Sequence, residues 1–326
     1  MTGFLFLRVK QIIREAPEAA TFVLEHSEHV PYKAGQFLTL IFERHGKEIR
    51  RSFSLSSSPE VDPDLRITVK QVENGEFSRY LLKSLKVGDR LKAIYPAGRF
   101  ILPETISGPA DVFLLAAGSG IVPVFSILKT LLAGYPGVKT TLIYSNWSEQ
   151  STIFRDEINT LSEKYPSKLK VLHVLSHPGN ELGPGQAIHG HLNNQLLERL
   201  VEQYLNFDKS KSLFFICGPF TYMRMAQITL RVAGFRQEQL HKENFIVNEP
   251  LPPRFTFPEG PYPREVVLVK GERTEHFPVA ERQTVLDAAL QAGIDLSYSC
   301  NAGVCATCTA RCVSGEVKMS VNEVLT

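Results

Sequence analysis

The chain has 326 residues, of which 43% are apolar and 21% charged, and its formal net charge is +2. This composition is typical of a globular protein with two or three domains, and it gives no reason to expect a nucleic-acid-binding surface. The longest apolar region, VFLLAAGSGIVPVFSILKTLL, is broken by glycine, serine and proline, so we expect strand, turn and helix rather than a membrane span. The first ten residues lack the features of a signal peptide.

Four segments follow one another along the chain. Residues 1–105 contain short strand patterns, with one helix predicted at 77–85, and favour a β-barrel or sandwich. Residues 106–247 alternate strand and helix patterns, which predicts a parallel sheet covered by helices. Residues 248–263 form a proline-rich linker, and residues 264–326 are predicted to form a compact unit around the cysteines.

The middle segment begins with a glycine turn. In LLAAGSGIVP, Gly118 and Gly120 follow a strand and precede a helix, which is where a backbone can approach a pyrophosphate. A tight turn without a ligand is the alternative. The next strand end, YSNWS, lacks the acidic residue that usually binds the ribose of NAD, so the choice between NADH and NADPH stays open.

Two stretches of the first segment indicate a second nucleotide-like ligand. In RRSFSL, Arg51 can neutralise a phosphate, and Phe53, two residues on in a strand, can stack on a flat ring. In NGEFS, Gly75 to Ser78 are predicted to open a helix whose N–H groups can bind a second phosphate. The alternative is that Phe53 belongs to the core and Arg51 is merely solvated.

The cysteines lie mostly in SYSCNAGVCATCTARCVSG, residues 297–315. Cys300, Cys305 and Cys308 have the C-x4-C-x2-C spacing with which plant-type ferredoxins hold a 2Fe-2S cluster, and structural zinc is the alternative. Cys312, in a segment with a strand pattern, is interpreted as a bystander. Because no cysteine follows it, the fourth ligand is not found in this chain, and we expect a truncated C-terminal domain. Cysteines at metal-ligand spacing also indicate a cytoplasmic protein.

The motifs R-x-aromatic-S, VK with GEFS, AGSGIVP, CGP and ENF occur in this order, ahead of the cysteines. In this set the chain resembles the ferredoxin-NADP reductase superfamily, in particular the oxygenase reductase components with a C-terminal 2Fe-2S ferredoxin domain, such as those of phenylacetyl-CoA epoxidases. The resemblance implies three domains: an antiparallel β-barrel for FAD, an α/β Rossmann-like domain for NAD(P)H, and an α+β ferredoxin-like (β-grasp) domain. Trp147 and His191 stand where relatives often carry arginine.

The same resemblance implies roles for individual residues. The residues implied to bind the flavin are Arg51, Ser52, Phe53, Ser54, Thr68, Val69, Lys70, Gly75, Glu76, Phe77 and Ser78. The residues implied to bind NAD(P)H are Gly118, Ser119, Gly120, Pro123, Ser145, Asn146, Cys217, Gly218, Pro219 and Met223. The residues implied to lie at the reacting atoms are Cys217, Glu243 and Phe245, although Cys217 can also be an ordinary buried cysteine.

The order of the centres matches their electron chemistry. A nicotinamide gives up two electrons as a hydride, a flavin can release them one at a time, and a 2Fe-2S cluster carries one. We therefore expect an FAD-dependent NAD(P)H oxidoreductase that passes single electrons to an oxygenase or hydroxylase partner, by resemblance in phenylacetate degradation. The alternatives are a stand-alone NAD(P)H oxidase or diaphorase with a non-functional ferredoxin domain, and a ferredoxin-like binding module without activity. FMN can replace FAD in this interpretation.

Overall fold

The computed structural model describes residues 4–44, 46–72, 75–106, 108–179, 187–245, 258–298, 303 and 307–321. The chain divides into two compact units, one over residues 3–245 and one formed mainly by residues 246–326. Within the described ranges, no helix combines the length and the apolar character that crossing a membrane requires.

The first sheet is antiparallel and has six strands, and one helix lies between its fifth and sixth strands in the chain. Its elements are β1 (Phe4–Ala16), β2 (Ala19–Glu25), β3 (Phe37–Arg44), β4 (Lys47–Ser54), β5 (Leu65–Lys70), α1 (Glu76–Ser84) and β6 (Arg90–Ala97). The strand order is β4-β3-β6-β1-β2-β5, and a bridge between Leu55 and Ile67 joins the two outer strands. Leu5, Leu7 and Val9 alternate inward along β1, as a strand with one buried face requires. The sheet therefore closes into a barrel, which is one of the two architectures that the strand patterns favoured.

The second sheet is parallel and is covered by helices. Its elements are β7 (Ala110–Ala117), α2 (Ile121–Gly134), β8 (Val138–Asn146), α3 (Arg155–Lys164), β9 (Leu169–Leu175), β10 (Ala187–His189), α4 (Asn194–Tyr204), β11 (Ser212–Cys217), α5 (Phe220–Val232) and β12 (Leu240–Glu243). The strand order is β10-β9-β8-β7-β11-β12. The chain leaves β7 towards β8 on one side and reaches β11 on the other, so the order reverses between β7 and β11. Ligands of open α/β sheets bind at such a reversal, outside the carboxyl ends of the strands.

Both sheets belong to the same compact unit because α2 packs between them. Every α2 side chain from Ile121 to Leu132 is buried. One hydrophobic cluster joins Val124, Ile127 and Leu128 of this helix to Ala34 and Phe100 of the barrel segment. The first turn of α2 is therefore held in a fixed position against the barrel.

The C-terminal unit contains a hairpin and a short helix. Strands β13 (Arg264–Lys270) and β14 (Arg273–Val279) pair antiparallel, and α6 (Val285–Gln291) packs on them through Ala288 and Ala289. The Thr284 hydroxyl accepts a hydrogen bond from the Asp287 N–H and caps α6. This α+β arrangement agrees with the expected fold class.

The strand pattern around Cys312 was wrong, because the described residues 307–321 contain no strand. Val313 and Val317, the residues that suggested a strand, are 83% and 63% exposed. Strand residues gain their stability from a partner strand and from a buried face, and neither is present for this segment within the described residues.

Candidate functional site

The glycine turn after β7 lies against the end of β11. Gly118 has a φ of +53°, which favours glycine. A Cβ added to Gly120 would lie 2.1 Å from the carbonyl oxygen of Cys217 and 2.7 Å from the nitrogen of Gly218. No other residue fits at this position without moving one of the two backbones. The turn and the β11 exit thus form one cradle at the reversal point, and the first-turn N–H groups of the 14-residue α2 lie beside it.

Cys217 and Glu243 stand side by side at the ends of neighbouring strands. They are register partners between β11 and β12, and the Cys217 side chain is fully buried. Burial raises the pKa of the Cys217 thiol well above its usual value, and the negative charge of Glu243 raises it further. The thiol therefore stays protonated at neutral pH. Phe245, just past β12, is 43% exposed.

Gly218 and Pro219 connect β11 to α5. A Cβ on Gly218 would lie 2.9 Å from the Cβ of Ala117, so this position also requires glycine. The Met223 N–H donates to the Pro219 carbonyl at 3.0 Å, and the Met223 side chain is buried. Pro123 is buried in the first turn of α2. Met223 and Pro123 therefore lie buried in the first turns of the two helices that follow the cradle.

Beyond the cradle, the β8 and β9 exits run side by side. The Oγ of Ser145 and the Nδ2 of Asn146 are buried and have no hydrogen-bond partner among the described residues. Trp147 is 62% exposed, and its ring stacks on His177 with centroids 3.5 Å apart and planes at 17°. The His177 N–H donates to the Trp147 carbonyl at 2.7 Å, which fixes the two exits together. This end offers buried polar atoms and an exposed aromatic face.

A buried carboxylate, which the sequence patterns did not indicate, lies near the ends of β8 and β9. Glu149 is 3% exposed, and its Oε2 accepts a hydrogen bond from the Gly179 N–H at 2.7 Å. Its Oε1 has no partner among the residues that the structure describes. Glu149 lies three residues past β8, beyond the strand end at which an acidic residue usually binds the ribose of NAD.

On the barrel, Arg51 of β4 meets Phe77 of α1. The guanidinium carbon of Arg51 lies 5.0 Å from the centroid of the Phe77 ring, which itself packs on Phe42 at 4.8 Å. Arg51 is exposed, whereas Phe53 is half-buried and packs against the barrel core. The packing of Phe53 agrees with the core interpretation, and its stacking on a flat ring stays a prediction.

The serine and threonine side chains near Arg51 and Phe53 differ in their burial and in their hydrogen bonds within the protein. Ser52 lies 3.1 Å from the Thr39 hydroxyl, and Ser54 is buried. The Thr68 hydroxyl donates to the Ser56 hydroxyl at 2.9 Å, and the side chain of the next residue, Val69, is buried in the barrel core. Thr68 and Val69 therefore form part of the barrel wall, and their contact with a flavin stays a prediction.

The start of α1 presents backbone N–H groups. Gly75 occupies the N-cap position with no side-chain cap, and Glu76 is exposed in the first turn. The Ser78 hydroxyl donates to the Gly75 carbonyl at 3.1 Å and accepts from the Val72 N–H at the same distance. The Ser78 side chain thus shapes the turn at the start of α1, where backbone N–H groups of a helix can face an anion.

Lys70 connects the barrel to the cradle. Its Nζ lies 3.9 Å from the point at which a Cβ of Gly118 would stand, although the two residues belong to different sheets. A lysine ammonium is a compact positive charge. The end of β5 therefore adds a cation to the glycine turn, next to Ser119, which is half-buried in that turn.

Of the three predicted cluster ligands, Cys308 lies within the described residues, and its side chain is exposed. Cys300 and Cys305 lie outside the described residues. Gly303 has a φ of +70°, and a Cβ there would lie 2.4 Å from the Val321 carbonyl oxygen. The Cys312 thiol lies 3.4 Å from the carbonyl oxygen of Ser314, within its own turn.

The residues present fit a dinucleotide and a flavin. Glycines keep the cradle free of side chains where a Cβ would fill it, Lys70 and helix N-termini supply positive charge, and Ser145 and Asn146 hold buried polar atoms without partners. These groups suit an anionic pyrophosphate and the hydroxyl groups of a ribose.

Comparison with known proteins agrees with this interpretation of the site. Residues 5–101 match the oxidoreductase FAD-binding domain family, residues 114–228 the oxidoreductase NAD-binding domain family, and residues 268–326 the 2Fe-2S iron-sulfur cluster binding domain family.

Two curated relatives are similar along nearly the whole chain. One of the subunits that make up the 1,2-phenylacetyl-CoA epoxidase of Escherichia coli is 32% identical over 99% of this chain and 90% of its own length. The ferredoxin reductase component of a 3-ketosteroid-9-alpha-monooxygenase of Mycobacterium tuberculosis is 34% identical over 98% of this chain and 88% of its own length.

Among solved structures, a ferredoxin NADP+ reductase from Neisseria gonorrhoeae with bound FAD and NADP superimposes with a TM-score of 0.63 and 25% identity. It covers 74% of this chain and 99% of its own.

Proposed function

The chain belongs to the ferredoxin-NADP reductase superfamily and is an FAD-dependent NAD(P)H oxidoreductase with a C-terminal 2Fe-2S domain, and from this premise we propose that it supplies single electrons to an oxygenase component. Relatives from three kinds of oxygenase system, acting in their own cases on phenylacetyl-CoA, a 3-ketosteroid or glycine betaine, support this partner class. A phenylacetyl-CoA epoxidase is the partner type we propose, because a component of such an enzyme aligns with 99% of the chain.

The observation that carries the proposal is the meeting of four segments at the reversal point of the parallel sheet: the glycine turn, the ends of β11 and β12, and the end of β5. Gly120 touches the β11 exit, Glu243 stands beside Cys217, and Lys70 reaches the turn from the barrel. A nucleotide in this cradle would be in contact with groups from both sheets. Bringing two reactants together in one oriented site is a large part of what an enzyme does for a transfer reaction.

We propose that the barrel and the parallel sheet each bind one of the two ligands, as the resemblance implied. Arg51, Phe53, Ser54 and the start of α1 would hold FAD on the barrel, while the glycine turn and the β8 exit would hold NAD(P)H. Bound flavin supplies the conversion between a hydride and single electrons, and a 2Fe-2S cluster carries those electrons one at a time. Lys70 would orient the nucleotide by its charge, and FMN in place of FAD stays an alternative for the barrel site.

At the reacting end, the side chains serve to exclude water and to place charge. Cys217 is fully buried and its thiol stays protonated, so it offers a neutral surface rather than a nucleophile. Glu243 adds a negative charge at the edge of that surface. A carboxylate in this position favours the positively charged, oxidised nicotinamide ring over the neutral reduced ring.

We also propose the domain limits and location that the sequence indicated. The flavin domain would span residues 1–105, the nucleotide domain 106–247, the linker 248–263 and the ferredoxin-type domain 264–326. Cys300, Cys305 and Cys308 would be three cluster ligands. A cytoplasmic location is supported by cysteines at metal-ligand spacing instead of a disulfide framework.

Anaerobic titration of the FAD-loaded chain with NADH, and separately with NADPH, tests the proposal. We expect the visible flavin bands to bleach, and cytochrome c to be reduced as a one-electron acceptor. The Cys308→Ser variant should keep the bleaching and lose most of the cytochrome c reduction, whereas the matched Cys312→Ser variant should keep both.

The outcomes separate the alternatives. If neither nucleotide bleaches the flavin, the proposed function is wrong. If bleaching occurs but cytochrome c reduction is the same in both cysteine variants, electrons bypass the cluster, and a stand-alone NAD(P)H oxidase replaces the proposed reductase.

A further inference from the structure

The helix that carries the nucleotide cradle has an unusual polar face. In the otherwise apolar α2, Ser126, Lys129 and Thr130 are spaced i, i+3 and i+4, so they lie on one side of the helix. All three are buried, Lys129 with 8% exposure. A buried lysine in an apolar helix is costly unless it is paired.

The partner of Lys129 comes from the barrel segment. The Lys129 ammonium donates to the Oδ2 of Asp62, and both side chains are less than a tenth exposed. Asp62 also accepts from the Ser58 N–H at 2.8 Å and lies 3.6 Å from the Arg66 guanidinium. Burial lowers the pKa of Lys129, and the contact with Asp62 opposes this shift. The pair is therefore desolvated and enclosed by further hydrogen bonds.

Hydroxyl groups extend this contact along the helix. The Thr130 hydroxyl donates to the Oε2 of Glu60 at 2.8 Å and lies 2.8 Å from the Ser58 hydroxyl. The Ser126 hydroxyl donates to the Ser57 carbonyl. We call this set the α2 clamp: the loop 57–62 on the barrel side, and Ser126, Lys129 and Thr130 on the helix side.

The α2 clamp lies between the two proposed binding sites. Its loop begins three residues after Ser54, the last residue of the flavin strand β4. Its helix begins directly after Gly120, and Lys129 lies eight residues into that helix, about 12 Å from the cradle at the rise of an α-helix. A displacement of the loop relative to α2 would therefore move the flavin strand relative to the nucleotide turn.

The chemistry of the α2 clamp suits positioning better than stability. Apolar residues of similar volume stabilise a buried contact as well as an ion pair does or better, but they have no fixed direction and can slide. A desolvated ammonium–carboxylate contact with flanking hydroxyl hydrogen bonds has one good geometry. One further hydrogen bond, from the Gly35 N–H to the Ser126 hydroxyl at 3.3 Å, joins the same face of α2 to the barrel. The hydrophobic cluster that surrounds these groups has no directional contacts, so the polar groups of this face define the register of α2 against the barrel.

We propose that Lys129, through Asp62, is a positioning residue that sets the distance and angle between the nucleotide cradle and the flavin site. This inference rests on the proposed function, because it assigns the residue to transfer between the two groups. Lys129 would touch neither ligand. It would act on the rate of flavin reduction and not on the binding of either ligand.

The test uses the full chain loaded with FAD and stopped-flow flavin reduction at saturating NADH or NADPH. We expect Lys129→Met to slow the reduction about tenfold, because misplacement of reactants by a fraction of an ångström to 1 Å costs rates of roughly ten- to a hundredfold. The dissociation constants of FAD and of the oxidised nucleotide should change by less than about twofold, since the substitution does not alter the residues that contact either ligand.

A second variant avoids the unpaired charge that Lys129→Met leaves behind. Lys129→Met combined with Asp62→Asn removes both charges of the Lys129–Asp62 contact, and the asparagine oxygen can still accept from the Ser58 N–H. We expect its rate to equal that of Lys129→Met, because both changes remove this contact and changes to one contact are non-additive. The single variant Asp62→Asn, which also loses the 3.6 Å contact with Arg66, should be slowed at least as much. The exposed pair of Arg8 and Glu25, 3.1 Å apart on the barrel, provides the control Arg8→Gln, which should keep the wild-type rate.

Hydrogen exchange gives a readout that is independent of activity. The N–H groups of Ser58 and Asp62 are bonded within the loop, at 2.8 Å each. Both should exchange at least about tenfold faster in the two Lys129 variants if the loop is released from α2. Faster exchange with an unchanged rate of flavin reduction would overturn the positioning role while leaving the proposed function intact. Failure of the wild-type protein to reduce flavin would overturn both.

Discussion

The two halves of the carboxyl edge of the parallel sheet are built differently. At the ends of β7, β11 and β12, backbones are in contact, glycines are required and Cys217 is fully buried. At the ends of β8 and β9, Trp147 is 62% exposed and stacks on His177 at the surface. A tightly packed end fixes where a reacting atom lies, whereas an exposed aromatic face holds a ligand without placing it to a fraction of an ångström. Changes at the packed half should therefore alter the rate constant, and changes at the exposed half should alter binding.

The largest effect is expected for Gly120→Ala. The added Cβ would lie 2.1 Å from the Cys217 carbonyl oxygen, so the turn must move away from β11. We expect kcat for flavin reduction to fall by about a hundredfold, since a shift near 1 Å at the site has effects of that order. Gly134→Ala at the other end of α2, where a Cβ meets nothing within 4 Å, is the matched control and should keep the wild-type rate. An unimpaired Gly120→Ala variant would contradict the cradle assignment.

A smaller loss of rate is expected for Glu243→Gln. The substitution keeps the shape and removes the charge beside Cys217. Because a carboxylate favours the oxidised nicotinamide ring, we expect kcat to fall about tenfold with little change in KM. Glu238→Gln, at an exposed acidic residue of the turn before β12, serves as the control and should have no effect. A rise in KM alone would mean that Glu243 acts in binding and would remove the distinction between the two halves.

The exposed half is tested by Trp147→Ala. Stacking of a base on an aromatic side chain contributes about 1–3 kcal/mol, and the low end of this range applies to a face open to water. We expect KM for the nucleotide to rise about fivefold while kcat stays the same. Trp147→Phe keeps a stacking face and should restore most of the affinity. If kcat falls instead, this end also positions the reacting atoms.

Local patterns in the sequence were sufficient for the antiparallel sheet, the parallel sheet and the glycine turn, because the residues that form each strand, turn and helix are adjacent in the chain. They were not sufficient for contacts between distant segments. Gly120 meets Cys217, 97 residues later, and Trp147 meets His177, 30 residues later, and both meetings depend on strand order. Lys129 was visible as a lysine in an apolar helix, but nothing in the sequence pointed to Asp62. The false strand at Cys312 arose because a β-branched pattern does not reveal whether a partner strand exists.

The smallest effect is expected for Cys217, which lies in the packed half but has no charge to contribute. Burial and the neighbouring Glu243 carboxylate both disfavour the thiolate, so both raise the pKa of Cys217 above its ordinary value near 9.0. A thiol with a raised pKa remains protonated below that value, so no thiolate forms between about pH 6 and pH 8. We therefore expect the pH profile of flavin reduction in this range to be identical in wild type and Cys217→Ala, with a rate change of no more than about threefold from the small cavity. Alkylation of the folded protein by iodoacetamide should likewise leave Cys217 unmodified while the exposed Cys312 reacts. A pH-dependent step that disappears in Cys217→Ala would show instead that the thiol ionises during the reaction, and the packed half would then have a chemical role in addition to a geometric one.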